Sequence, residues 1–213
     1  MIELHETSLA DESIQVPIRL GPDGRKPVYA SKHAAGCDLF APRDLAIRPG
    51  ETVVLPLDLV IALPAGTEAQ IRPRSGLSLK TDLRLPNSPG TIDADYRNEV
   101  GVILQNTFNP ATLPGRIAQN PTLLSDILTT HRAIRLRDRI TDPAQLANDA
   151  LQPLLDITLF LDPQDNPYGT LYIQKGDRIA QMVIARHEHA EFTEHNAPET
   201  IGHNRGGGFG STG

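Results

Sequence analysis

The chain has 213 residues and a formal net charge of −6, with 20 basic against 26 acidic side chains, so it carries no electrostatic footprint for nucleic-acid binding. Its single cysteine, Cys37, excludes an internal disulfide framework. The first dozen residues are acidic without an apolar segment, and no apolar run approaches the length of a membrane span, so we expect a soluble, cytoplasmic protein with no nucleic-acid or membrane partner.

Short β-rich runs, punctuated by proline and glycine, fill the first half of the chain. They cover residues 14–20, 36–40, 45–47, 52–61, 68–72 and 100–104. Strands at this spacing predict an antiparallel sandwich, barrel or jelly roll. No helical periodicity competes with this prediction before about residue 120.

Residues 87–106 combine a turn, two carboxylates and a buried strand. The turn is Asn87-Ser88-Pro89-Gly90, and Asp93, Asp95 and Tyr96 separate it from the apolar run. A carboxylate at the root of a tight hairpin is well placed for acid–base chemistry. The alternative is an acidic, solvated loop before a core strand, and this stretch alone does not decide between the two.

Residues 109–168 have a different texture and predict a mostly helical insertion in the β fold. One helix is predicted to start at Asn120-Pro121, and a second, capped helix at Asp142-Pro143, followed by apolar residues through 155. Between them, residues 132–140 alternate apolar and arginine side chains, which fits a strand as well as a helix. Strands resume at 156–161, 170–173 and 177–185.

Two segments leave alternatives open. The insertion carries four arginines, which either form a partner or nucleotide-sensing surface or pair with acidic neighbours on a solvated face; they are Arg132, Arg135, Arg137 and Arg139. The glycine-rich tail, residues 205–213, is either an arm that orders on a ligand or a loose terminus.

Five separated stretches, taken in order, resemble the five motifs of the trimeric deoxyuridine triphosphatases (dUTPases). They are residues 35–39, 73–77, 90–106, 176–181 and 205–213. The resemblance covers nearly all of the chain except the N-terminal dozen residues and roughly 109–168. It implies an all-β, distorted jelly-roll domain of the β-clip type over 1–204 and an arm over 205–213 that closes an active site. It also implies a homotrimer whose sites are shared between subunits.

The resemblance further implies hydrolysis of dUTP to dUMP and pyrophosphate, which keeps uracil out of DNA and supplies a thymidylate precursor. Asp93 takes the position of the general base that activates water for attack on the α-phosphorus. Asp38, Asp95 and Asp177 take supporting positions, and Arg178 a structural one. Mg²⁺ is expected on the substrate, held by phosphates and water without direct protein ligands.

Substrate contacts also follow from the resemblance. Arg74, Ser75 and Gly76 match the motif that holds the α- and β-phosphates. Asn87 and the main chain of Gly90, Thr91 and Ile92 would read uracil, Tyr96 would lie under the deoxyribose, and Gln181 would face the phosphates. In the tail, Arg205 would bind the γ-phosphate, Phe209 would stack on uracil, and Gly210, Ser211 and Thr212 would contact the nucleotide.

The sequence departs from the family pattern in places and allows other functions. The Arg205–Phe209 spacing is one residue shorter than usual, and Gly101 stands where the family often has a longer side chain. A related deaminase branch acting on dCTP would need a glutamate on the strand after Asp93, and residues 100–106 carry no carboxylate. A regulatory or binding protein acting through the insertion is the remaining alternative.

Overall fold

The computed structural model describes residues 13–203 as short antiparallel strands with a few short helices. In chain order, strands β1 to β14 span Ile18–Leu20, Val28–Tyr29, Cys37–Phe40, Leu45–Ile47, Thr52–Pro56, Leu59–Ile61, Thr67–Arg72, Leu83–Arg84, Gly90–Ile92, Gly101–Asn106, Arg132–Arg135, Thr158–Leu161, Leu171–Ile173 and Arg178–Arg186. Helices α1 to α4 span Ser75–Lys80, Leu113–Gln119, Thr122–Thr130 and Pro143–Leu146.

The larger sheets enclose one apolar core. The first has the strand order β2-β3-β14-β7-β9, and the second has the order β5-β10-β8. Along β7 and β10 the buried side chains alternate with more exposed ones, as expected for strands with one face on a core. The core is built from aliphatic side chains that are almost fully buried, among them Leu39, Ile47, Leu55, Leu59, Ile61, Val100, Val102, Leu104 and Ile179. The predicted all-β fold is confirmed.

The predicted single strand over 52–61 is wrong, because the chain changes sheets in its middle. Strand β5 pairs with β10, whereas β6 pairs with β1. Asp58, between them, has a φ of 54°, a left-handed conformation that no continuous strand accommodates. The alternating apolar pattern runs through this bend, so periodicity alone does not reveal it.

The prediction that helices are absent before residue 120 is also wrong. Helix α1 begins directly after Arg74, and Thr81 closes it by donating its amide and hydroxyl to the Leu77 carbonyl at 3.0 and 2.8 Å. Helix α2 ends just before the predicted helix start at Asn120. Both helices are too short to show a clear apolar period.

The insertion is less helical than predicted. Helix α3 matches the expected helix after Pro121, and Ile127 is its buried residue. The helix predicted from Pro143 through residue 155 is wrong: α4 ends at Leu146, because Asn148 forms a turn in which its side chain accepts from the Ala150 amide at 2.9 Å. Residues 132–140 divide into β11, which pairs with β12, and a 3₁₀ turn over Leu136–Arg139.

The four arginines of the insertion form ion pairs within it. Arg132 and Arg139 contact Asp165, while Arg135 and Arg137 contact Asp156. Hydrogen bonds from Arg139 and Arg132 hold the pKa of the Asp165 carboxyl below its usual value. The prediction that these arginines pair with acidic neighbours is confirmed.

The two ends of the insertion meet at a neck defined by Asn106, Phe108 and Gly169. The Asn106 side chain is fully buried, donates to the carbonyls of Ile47 and Gly169 at 2.9 and 2.8 Å, and accepts from the Phe108 amide at 3.0 Å. A Cβ on Gly169 would lie 2.3 Å from the Phe108 ring, and Gly169 has a φ of 91°. One amide side chain therefore joins the points where the chain leaves and re-enters the β fold.

A second polar cluster lies beside the neck. Asp162 is only 6% exposed and accepts from the Asn166 and Gln164 amides, each at 2.9 Å, and from the Tyr172 hydroxyl. Burial by itself raises the pKa of Asp162, but these hydrogen bonds outweigh it and hold the pKa below its usual value.

Among the helices of residues 13–203, none is both long enough and apolar enough to cross a membrane.

Candidate active site

Three of the singled-out sequence stretches meet at one end of the five-stranded sheet. Gln181 at the start of β14 pairs with Asp38 of β3 on one side and with Arg72 of β7 on the other. The chain then continues from Arg72 into Arg74, and Arg178 begins β14. The pairing register therefore brings residues more than 100 positions apart in sequence into one cluster.

Asp38 holds two arginines in this cluster. Its carboxylate accepts from Arg74 Nε at 2.9 Å and from an Arg178 terminal nitrogen at 3.2 Å. The Asp38 side chain is 13% exposed, and those of Arg74 and Arg178 are 26% and 51% exposed. The Asp38 carboxylate lies between two guanidinium groups, and a cavity of about 330 Å³ lined by both arginines and by Asp177 opens beside it. This arrangement can bind an anion with a preoriented fork of donors.

The neighbouring predicted residues shape the same end of the sheet. Ser75 and Gly76 are exposed in the first turn of α1, and no atom lies within 4 Å of the position where a Gly76 Cβ would be. Gln181 donates its amide to the Pro73 carbonyl at 3.0 Å, which ties β14 to the segment that carries Arg74. Asp177 accepts from the Gln174 amide at 2.8 Å and so closes the turn before β14.

Residues 87–92 do not form the predicted hairpin. Strand β8 pairs with β10 and β9 pairs with β7, so the segment between β8 and β9 crosses from one sheet to the other. Gly90 is buried, and a Cβ there would lie 2.9 Å from the Asn87 amide nitrogen. Glycine at this position lets the Asn87 side chain lie directly against the strand.

Asp93, Asp95 and Tyr96 lie in the loop between β9 and β10. All three are exposed, and Asp93 directly follows the last residue of β9. The Tyr96 amide donates to the Asp93 carbonyl at 3.1 Å, which forms a turn at the start of the loop. The Asp93 carboxylate therefore projects from the end of an ordered strand, on a turn that fixes its backbone.

Two residues that the sequence analysis did not single out also shape this loop. Arg97 donates to the Ala94 and Tyr96 carbonyls at 2.6 and 2.8 Å, and the Glu99 carboxylate accepts from the Asp58 amide at 2.5 Å. Their partners are main-chain atoms, which leave no mark in a sequence pattern.

The structure does not bring Asp93 together with the arginine cluster within one chain. Strand β9 runs antiparallel to β7, so Asp93 lies one residue beyond the Ala69–Ile92 pair, level with Glu68. The arginine cluster lies at the opposite end of β7, beyond Arg72, about 13 Å farther along the strand direction. The tail residues Arg205, Phe209, Gly210, Ser211 and Thr212 lie outside the described residues.

Cys37 is a packed residue rather than a nucleophile in this arrangement. It is buried in β3, its thiol donates to the Met182 carbonyl at 3.3 Å, and burial raises its pKa. A raised pKa disfavours the reactive thiolate at neutral pH.

Comparisons with known proteins concern the family and the fold. A family model described as dUTPase matches residues 23–120 and 152–213. The fold is similar to that of a Staphylococcus bacteriophage 80alpha dUTPase solved with dUPNHPP, with a TM-score of 0.66 and 24% identity over 94% of this chain and 99% of that chain. It is also similar to the dUTPase from phage phi11 of S. aureus, whose species-specific insert is visualised (TM-score 0.59, 24% identity, 88% and 100% coverage). For a mutant of the phi11 dUTPase, coordination of a structural Mg(II) ion is described (TM-score 0.60, 22% identity, 87% and 99% coverage).

The gap in the family match is shorter than the predicted insertion. Besides residues 1–22, the match leaves out residues 121–151, so part of the segment predicted as atypical, 109–168, is covered by the family model. The match extends over well more than half of the sequence and includes all five motif stretches. The chain therefore belongs to the dUTPase family.

Proposed function

We propose that this dUTP diphosphatase hydrolyses dUTP to dUMP and pyrophosphate through a water molecule that Asp93 orients and deprotonates. The observation that carries the proposal is the position of Asp93. It is an exposed carboxylate at the end of β9, and β9 is one of the two edge strands of the five-stranded sheet within residues 13–203. An edge strand presents main-chain donors and acceptors to a ligand, so one short element can read the base and carry the catalytic carboxylate.

Uracil would be read by the free edge of β9. The main-chain groups of Gly90, Thr91 and Ile92 that face away from β7 offer the alternation of N–H and C=O that a pyrimidine edge requires. Asn87, packed against Gly90, adds a side-chain amide on the same element. Cytosine has an acceptor at N3 and a donor at N4 where uracil has a donor and an acceptor, and a mismatched polar edge costs several orders of magnitude in specificity.

The arginine cluster would hold the phosphates. Asp38 fixes Arg74 and Arg178 before the substrate arrives, so little side-chain entropy is lost on binding. Ser75 and Gly76, exposed at the start of α1, add a hydroxyl and an unobstructed backbone. Positioning and charge stabilisation of this kind supply most of the catalysis in phosphoryl chemistry.

A homotrimer with shared sites would bring the two halves of the site together. Within one chain, Asp93 and the arginine cluster lie at opposite ends of β7. That distance is too long for Asp93 to activate water at the α-phosphorus of a triphosphate whose α- and β-phosphates the same chain's arginines hold, so a second chain would supply one of the two. The tail residues Arg205, Phe209, Gly210 and Ser211 would close the site from a further subunit.

Mg²⁺ is proposed to bind with the substrate. Within the described residues, no three His, Cys, Asp or Glu side chains lie close enough to hold a metal ion together. The triphosphate oxygens and water are hard ligands of the kind that Mg²⁺ prefers. When bound, the ion would neutralise part of the triphosphate charge, while the residues named above bind, orient and deprotonate.

Replacing Asp93 by asparagine tests the proposed base. We expect Asp93→Asn to reduce pyrophosphate release from dUTP by at least about a hundredfold, because general base catalysis contributes factors of this size. Binding of a non-hydrolysable dUTP analogue, measured by calorimetry, should change little. The matched control is Asp126→Asn, an exposed carboxylate on α3 of the insertion. A variant at Asp93 that retains substantial turnover would show that another group activates the water.

A substrate panel separates this proposal from its alternatives. The wild-type chain should release pyrophosphate from dUTP and show little activity on dTTP or dCTP. Ammonia release from dCTP would instead support the deaminase reaction. Tight binding of dUTP with no turnover would support a binding or regulatory protein.

A further inference from the structure

We propose that Glu99 is a positioning residue that sets the selectivity for 2′-deoxyribose by holding Tyr96 in place. This inference rests on the proposed function, in which Tyr96 lies under the sugar and excludes a 2′-hydroxyl. Glu99 does not touch the substrate in this proposal. It acts through the Tyr96 hydroxyl.

The first step is the contact between the two residues. The Tyr96 hydroxyl donates to the Glu99 main-chain carbonyl at 2.9 Å, across the loop between β9 and β10. Tyr96 is 38% exposed, so packing covers only part of its ring. This hydrogen bond is therefore a large part of what fixes the ring on its outer side.

The second step is the anchoring of Glu99 itself. Its carboxylate accepts from the Asp58 amide at 2.5 Å. The next residue, Val100, donates its amide to the Leu59 carbonyl at 2.8 Å and accepts from the Leu57 amide at 2.9 Å. The Glu99 carbonyl accepts the hydrogen bond from Tyr96. Its position is fixed by the hydrogen bond of the Glu99 carboxylate and by the two main-chain hydrogen bonds of Val100.

The third step is the rigidity of Asp58. Its left-handed backbone aims its amide at Glu99, and its carbonyl accepts from the Gly21 amide at 2.9 Å. Its carboxylate accepts from the Asp23 amide at 2.8 Å, and a Cβ on Gly21 would lie 1.8 Å from that carboxylate. Residues 21–24 therefore wrap closely around Asp58, and the anchor of Glu99 cannot shift without displacing this turn.

Selectivity against one additional hydroxyl depends on such a fixed ring. A pocket that merely contacts an apolar surface discriminates weakly against an added hydroxyl, by roughly a hundredfold. If the Tyr96 ring can move outward, even that discrimination falls, because the 2′-hydroxyl of UTP then fits. Misplacement of a contact group by an ångström can cost a comparable factor.

The test compares kcat/KM for dUTP with kcat/KM for UTP in the full-length protein. Glu99→Ala, which removes the carboxylate, should lower the dUTP-to-UTP ratio by about tenfold or more. Glu99→Gln retains an acceptor oxygen for the Asp58 amide and should keep the ratio close to that of the wild type. Tyr96→Phe should lower the ratio as Glu99→Ala does, and the double variant should be no less selective than either single variant. The ratio does not depend on the fraction of folded protein, so a loss of stability does not obscure it.

The matched control is Glu51→Ala. The Glu51 carboxylate also accepts from a main-chain amide, that of Arg48 at 2.8 Å, but it lies at the opposite end of the β5–β10 ladder from Gly101. Its removal should leave the ratio unchanged.

Three results would overturn the proposal: an unchanged ratio in Glu99→Ala, no rescue by Glu99→Gln, or additive effects in the double variant. Tyr96→Ala separates the role of Glu99 from the sugar contact assigned to Tyr96. If Tyr96→Ala alters the ratio and Glu99→Ala does not, only the role of Glu99 is wrong. If neither alters it, the sugar contact assigned to Tyr96 is wrong and the role of Glu99 falls with it.

Discussion

Asp38 and Asp156 make the same kind of contact in very different surroundings. Each carboxylate forms ion pairs with two arginines, Arg74 and Arg178 in one case and Arg135 and Arg137 in the other. The Asp38 side chain is 13% exposed, whereas that of Asp156 is 63% exposed. Exposed ion pairs contribute little because water screens them, so only the Asp38 cluster should matter for function.

We expect Asp38→Ala to lower kcat/KM for dUTP by about tenfold or more, mainly through a higher KM. Without the carboxylate, Arg74 and Arg178 repel each other and lose the orientation in which they would meet the phosphates. Steady-state kinetics of pyrophosphate release measures the effect.

Asp156→Ala is the control for this prediction. Its kinetic constants should equal those of the wild type, and its free energy of unfolding should change by less than about 0.5 kcal/mol. Equal kinetic effects of the two substitutions would contradict the assignment of the Asp38 cluster to phosphate binding.

The sequence indicates Asp38, Arg74 and Asp93 as candidate site residues. Each lies in a motif that contains a charged residue and a glycine, and the motifs follow one another in a fixed order. The sequence does not indicate Glu99 or Arg97. Both act on main-chain carbonyls or amides of residues brought close by folding, and no side-chain pattern records such a partner. The separation of Asp93 from Arg74 within one chain is likewise a property of strand pairing, which motif order does not contain.

At the scale of elements, the hydrogen bonds of Asn106 at the neck stabilise the junction between the insertion and the β fold. Asn106→Leu keeps a similar volume but leaves the Ile47 and Gly169 carbonyls and the Phe108 amide without their partner. Each buried unpaired group costs about 1–3 kcal/mol, so we expect a loss of about 3–5 kcal/mol in the free energy of unfolding. Urea denaturation followed by circular dichroism measures it.

Asn109→Ala is the comparison for this variant. Asn109 caps a 3₁₀ turn at the start of the insertion by accepting from the Ala111 amide at 3.0 Å, and it is exposed. Its loss should cost about 1 kcal/mol or less. A cost at Asn106 no larger than this would show that the neck is not held by its side chain.

The prediction of elements succeeds where alternation reports burial and fails where a bend or a short helix interrupts it. Strands β4, β7 and β10 follow from the apolar pattern, because one face of each lies on the core. The break at Asp58 depends on strand-pairing partners that are distant in sequence. The end of helix α1 depends on hydrogen bonds to a main-chain carbonyl. The end of α4 depends on Asn148, whose turn-forming side chain outweighs the apolar residues that follow.

At the scale of the whole molecule, shared sites make complementation possible between inactive chains. Asp93→Asn and Arg74→Ala should each be inactive alone. If the two groups of one site come from different chains, trimers assembled from an equal mixture, denatured and refolded together, should regain activity at about a quarter of their sites. Pyrophosphate release from the mixture, compared with each variant refolded separately, measures the gain.

No gain of activity in the mixture would place both groups of a site in the same chain. Native mass spectrometry of the same samples reports whether mixed trimers form, because Arg74→Ala and Asp93→Asn chains differ in mass. A monomer with full turnover would contradict the proposed assembly directly.

The neck at Asn106, Phe108 and Gly169 also has a consequence for how the chain can be altered. The Asn106 side chain joins the two ends of the insertion. A change in the length of the segment between them therefore does not alter how β10 and β13 pair with their own partner strands. The entropy of closing such a loop rises only slowly with its length, by about 0.6 kcal/mol for each doubling. Residues 121–151, which the family model leaves out, are thus the natural segment to replace: an unrelated domain whose termini match the ends of that segment could take its place and leave the neck, the Asp162 contact to Tyr172 and the nucleotide site assembled.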